Sequence, residues 1–191
     1  MKKSVYISGG NSGKWLLLLL LTELAGIAVG SFAALHFRNS GILQKYICPE
    51  LFGGGFLEVF AGTLLTLAVF LILAFFFGLS VFGQPVGAAL LMCLGAELSC
   101  SAALIYAEKG ISALPAVLLM YMPKMTVISA VGLLSVRELM RTSTGLLKSM
   151  TSAGDTPNLR SYCMRYAVLF SAAVVISLAD ALVNNFFSVS L

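Results

Sequence analysis

Charge is what this sequence has least of. Asp, Glu, Lys and Arg make up 10% of its 191 residues, whereas a soluble domain carries roughly a quarter. No stretch is both long and polar enough to form a separate soluble domain, so a single membrane domain over residues 1–191 is expected. Histidine is also nearly absent: the one His36 lacks an acidic residue at motif spacing and a nucleophilic serine context. No H-E-x-x-H, G-x-S-x-G or phosphate-loop pattern occurs, and Gly53 to Gly55 are not followed by the Lys-Ser or Lys-Thr such a loop needs. These absences argue against an enzyme and point to no cofactor and no metal. The four cysteines, Cys48, Cys93, Cys100 and Cys163, are too scattered for a disulfide framework or a zinc site.

What is present is apolar. Hydrophobic residues make up 59% of the chain, and the mean hydropathy is +0.98. A helix needs about 20 mostly apolar residues to cross the hydrocarbon. Five segments qualify: Trp15 to Leu35, Phe60 to Leu79, Val86 to Ala107, Ile111 to Val136 and Tyr166 to Ser188. Lipid leaves a lone strand's backbone unsatisfied, and the alternation of barrel strands is missing, so an all-α bundle of about five transmembrane helices is expected. The opening MKKSVYISGGNSGKWLLLLLL imitates a secretory signal, but apolar character runs past Glu23 to Phe37, which favours an uncleaved first span.

Lys and Arg outnumber Asp and Glu by 12 to 8, a net charge of +4, and they sit between the apolar runs. That distribution reports topology rather than nucleic-acid binding. With the N-terminus inside, Lys2, Lys3, Lys14, Arg137, Arg141, Lys148, Arg160 and Arg165 lie inside, and only Arg38, Lys45 and Lys109 lie outside. Five crossings then put the C-terminus outside. Gly83 and Pro85 predict a tight hairpin between the second and third spans, and the Ala107 to Gly110 turn makes the third and fourth antiparallel neighbours. The inside segment from Arg137 to Arg165 begins as a continuation of the fourth helix and breaks at Gly154, Pro157 and Asn158. In the outside loop, Ile42, Leu43, Tyr46 and Ile47 share a helical face suited to the membrane surface.

Four ionisable residues fall inside the spans: Glu23, Glu97, Lys124 and Asp180. Such residues are functional candidates by default. Counting depth at about 1.5 Å per residue puts Lys124 and Glu97 roughly 18 and 16 Å from the cytoplasmic ends of their spans. They are therefore expected to form an intramembrane charge pair, with Asp180 and Glu23 the weaker candidates. A pair of opposite charges suits an anchor of helix register better than a proton or ion relay, which is its rival reading. Pro123 deletes a backbone hydrogen bond beside Lys124 and should bend the fourth helix. Gly26, Gly30 and Ala34 in the first span, and Gly95, Ser99 and Ala103 in the third, make small-residue faces for close packing. Glu23 shares the face of Gly26 and should point into the bundle. Ser177, Asp180, Asn184 and Ser188 form a polar stripe that could serve the bundle, a partner helix or a hydrophilic path.

The order of these features, and above all the Phe75 to Ser129 stretch with the turn residues Gly78, Ser80, Gly83 and Pro85, Gly95, and the late Pro123, resembles the stage II sporulation protein M family of five-span bacterial membrane proteins. The resemblance implies a non-enzymatic membrane scaffold acting in engulfment of the forespore. Its implied partners are a peptidoglycan transglycosylase and an amidase, besides membrane lipid, and its implied location is the bacterial cell membrane, multi-pass. Lys124 departs from the pattern, since relatives carry His or Gln after that proline. A small transport component, either a substrate-capturing subunit or a proton-linked carrier, is the alternative. A homo-oligomer is left open.

Overall fold

The computed structural model describes residues 12–36, 55–114, 117–151 and 158–188. The described residues form five long helices: α1 (Ser12–His36), α2 (Phe56–Gly78), α3 (Gly83–Lys109), α4 (Met122–Thr151) and α5 (Leu159–Ser188). Among the described residues, four stretches are long and apolar enough to cross a membrane, namely Leu16–His36, Phe56–Gly78, Gly83–Ala107 and Leu159–Phe186.

The expected fourth span, Ile111 to Val136, is not one helix. Gly110, the cap of α3, adopts φ 62°, a left-handed conformation that glycine takes without steric cost, and donates its N–H to the Tyr106 carbonyl. The chain then makes a 3-10 turn (Gly110–Ala113) and a π-helical turn (Val117–Tyr121), and settles into α-helix only at Met122. Pro123 supplies the reason. A regular turn before it would drive the proline ring into the carbonyl four residues back, and a widened turn relieves that clash. Further on, α4 continues through Arg137 to Thr151, as its sequence implied. The last helix starts at Leu159, seven residues earlier than Tyr166. Asn158 is its cap rather than a breaker: its carbonyl and side-chain oxygen accept the N–H groups of Tyr162 at 3.2 Å and Ser161 at 3.4 Å. Gly154 and Pro157 lie outside the described residues, as do the loop face of Ile42, Leu43, Tyr46 and Ile47, and Cys48.

Contacts between helices set their directions. Gly26 lies against Met92, Gly30 against Ala96, and Ala34 clusters with Leu104, Cys100 and Ala103. Both numbers rise together, so α1 and α3 run parallel, and this is the most extensive helix pair among the described residues. In the opposite sense, Gly87 meets Val136 and Leu139 while Gly132 meets Leu94 and Leu91, making α3 and α4 antiparallel. Tyr166 donates to the Ser135 carbonyl at 2.9 Å and Lys124 reaches Asp180, so α4 and α5 are antiparallel as well. Thr63 bonds Asp180 and Tyr162 bonds the Phe75 carbonyl at 2.8 Å, which does the same for α2 and α5. Each helix thus reverses the one before it.

Between α2 and α3 the hairpin is as short as its sequence implied. Ser80 N–H bonds the Phe77 carbonyl at 3.0 Å, Gly83 N–H bonds the Ser80 carbonyl at 3.2 Å, and the Ser80 hydroxyl accepts the Phe82 N–H. Pro85 sits in the first turn of α3, where no partner for its missing N–H is required. Gly78 leaves room for the Tyr162 hydroxyl, and Tyr162 stacks on Phe75 at 5.2 Å and meets the Tyr166 ring at a tilt, 4.8 Å between centroids. The core is built from Leu67, Phe70, Leu71, Leu91, Leu94, Ile128, Val136 and Leu139, which α2, α3 and α4 contribute, closed on one side by Tyr166 and Ala173 of α5.

Candidate functional site

All five helices contribute a polar group to the bundle interior, and most of these groups bind a different helix. The ammonium of Lys124 on α4 is 2.8 Å from the Asp180 carboxylate of α5. The two side chains are 12% and 10% exposed, so the pair is all but sealed from its surroundings. The same Asp180 oxygen accepts the Thr63 hydroxyl of α2 at 2.6 Å. Tyr121, in the π-helical turn, holds its ring 5.6 Å below the Lys124 nitrogen, a cation–π contact. One ion pair therefore joins α2, α4 and α5 at a single level.

The partner expected for Lys124 from depth was Glu97, and the ion pair is made with Asp180 instead. Glu97 of α3 accepts the Thr66 hydroxyl of α2 at 3.2 Å and lies within the electrostatic reach of Lys124. Register explains the difference. Tyr121 packs beside Ala102 and Ile105, while Gly132 packs on Leu94, so Lys124 stands beside Ser101, a turn beyond Glu97. On the other side, Tyr166 opposite Ser135 and Arg165 paired with Glu138 bring Asp180 level with Lys124. Depth counted from assumed membrane ends could not resolve an offset of one turn, about 5.4 Å, between α3 and α4.

Glu23 points inward, as its place on the Gly26 face implied. It is 5% exposed and accepts a short hydrogen bond from the Ser129 hydroxyl of α4. The small-residue faces of α1 and α3 meet one another. A Cβ added at Gly30 would stand 2.1 Å from the Ala96 carbonyl oxygen and 2.3 Å from the Ser99 hydroxyl, and one at Gly95 would stand 2.7 Å from the Glu23 carbonyl. On α5, Ser177 is fully buried and bonds the Ala173 carbonyl of its own helix at 2.8 Å, and Asn184 is half-buried. Ser177 and Asp180 therefore face the bundle rather than a partner. Pro123 itself is exposed, and the Thr126 hydroxyl takes up the Met122 and Pro123 carbonyls at 2.6 and 3.0 Å.

Several participants gave no sequence signal of their own. Thr63, Thr66 and Ser129 sit singly in apolar runs, where a hydroxyl is commonly satisfied by its own helix, and only the neighbouring helix reveals their targets. Tyr162 and Tyr166 read as ordinary apolar bulk. Among the described residues, no three His, Cys, Asp or Glu side chains gather as a metal site would need. His36 is the last residue of α1, far along that helix from Glu23. Chemically, the arrangement can hold helices together through charge and hydroxyl contacts, and it can hold one buried cation against the Asp180 carboxylate.

No known protein family, curated protein or solved structure matches this chain.

Proposed function

We propose that this chain is a non-enzymatic, five-span scaffold of the bacterial cell membrane that anchors peptidoglycan hydrolases during sporulation engulfment. The observation that carries the reading is the use made of the polar groups that lie within the apolar helices. Glu23 with Ser129 ties α1 to α4, Asp180 with Thr63 and Lys124 ties α5 to α2 and α4, and Glu97 with Thr66 ties α3 to α2. Polar contacts that each bridge two helices fix a bundle's register, whereas a catalytic constellation converges several groups on one reacting point. The resemblance in the Phe75 to Ser129 stretch supplies the biological role. In this reading α4 crosses as the fourth span, with the N-terminus inside and the C-terminus outside, because Arg137, Arg141, Lys148, Arg160 and Arg165 gather at one end of the bundle.

Affinity capture of the tagged chain from sporulating cells tests the proposal. Recovery of a peptidoglycan transglycosylase and an amidase is the expected result, and their absence from a capture that retains the intact chain counts against it. A proton-linked carrier is the second reading, favoured by one observation: the sealed Lys124 and Asp180 pair lies beside a π-helical turn, a feature common at functional sites. Proton uptake by vesicles holding the purified chain would move the assignment there.

A further inference from the structure

Of the four ionisable residues within the apolar spans, three have their side chains turned inward and bonded to another helix: Glu23, Lys124 and Asp180. The fourth, Glu97, is exposed, midway along α3. The Thr66 hydroxyl satisfies part of one Glu97 oxygen, and the Lys124 ammonium, which acts on Glu97 only at a distance, makes its close ion pair with Asp180. Acyl chains supply no donor and no counter-charge, so a carboxylate presented at that depth calls for a covering group that does.

The surface around Glu97 has the shape for one. Both α1 and α2 pack on α3 and make little contact with each other. Between them α3 presents Ala89, Cys93, Ala96, Glu97 and Cys100, small residues apart from the glutamate, and α2 flanks it with the exposed Val69 and Leu73 on the face of Thr66. Small residues on a helix floor let another backbone approach closely. A second copy of this chain would bring a like carboxylate against Glu97, which charge disfavours.

We infer that the groove between α1 and α2, floored by α3 around Glu97, seats a membrane-spanning helix of a partner protein that carries a lysine or arginine at mid-depth. The inference rests on the scaffold reading and names the surface through which the scaffold holds its partner.

The test uses the purified full chain in phosphatidylcholine vesicles and two synthetic Leu/Ala helices of about 20 residues, one with a single central Lys and one with Leu there, with association read by energy transfer. The Lys helix should associate about tenfold more tightly than the Leu helix. Glu97→Leu should abolish that preference, while Glu58→Gln, at an exposed carboxylate in the first turn of α2, should leave it intact. Cys93→Phe, which fills the groove and keeps the carboxylate, should weaken binding of both helices. Equal association of the two helices, or a Lys preference that survives Glu97→Leu, overturns the inference. So does efficient disulfide dimer formation in a chain keeping only Cys93, since a second copy would then occupy the groove. Hydrolases captured from cells alongside a failed peptide test would leave the scaffold reading standing and remove this surface alone.

Discussion

Gly30 of α1 lies so near Ala96 of α3 that a single added methyl would stand 2.1 Å from the Ala96 carbonyl oxygen. With no hydrophobic drive between helices already in lipid, such backbone approach, and the dispersion contacts it permits, holds α1 to the bundle. Gly30→Val should therefore cost about 1–3 kcal/mol or more, and Gly26→Val, which meets the Met92 carbonyl, a similar amount. Gly55→Ala has nothing within 4 Å and should stay within about 0.5 kcal/mol of the parent. Thermal unfolding in detergent measures all three.

Lys124 and Asp180 depend on each other. Lys124→Met or Asp180→Leu alone leaves an uncompensated buried charge and should cost about 3–5 kcal/mol, while the double variant should recover much of that loss. A double-mutant cycle checks the coupling. Coupling of Lys124 to Glu97 should come out smaller than its coupling to Asp180, and the reverse order would contradict the observed pairing.

Two tyrosines lock the end of the bundle that carries the cations. Tyr166→Phe removes the hydrogen bond to the Ser135 carbonyl, and Tyr162→Phe the one to the Phe75 carbonyl. Each should cost about 1 kcal/mol with no change in helix content, measured by denaturation and circular dichroism.

Topology is open to a labelling experiment. Cys163 is exposed near the start of α5, among the arginines. In the proposed orientation a membrane-impermeant maleimide labels Cys48 in intact cells and reaches Cys163 only after permeabilisation. Labelling of Cys163 in intact cells would reverse the orientation.

The four apolar helices, the hairpin at Gly83 and Pro85, and the small faces of α1 and α3 were legible in the sequence, because hydropathy runs and four-residue spacing are local properties of one helix. The break before Met122 was legible only as Pro123, since a proline announces a disturbance without saying which turn absorbs it. That Glu23 turns inward also followed from its place on the Gly26 face.

What tertiary structure alone decided was which charge meets which. The sequence determined that Lys124 must find an acidic partner, because an ammonium in hydrocarbon is too costly to leave alone. The choice of Asp180 over Glu97 depended on how far each helix slides past its neighbour. That offset is set by contacts between helices, Tyr166 on Ser135 and Gly132 on Leu94, which no single helix encodes.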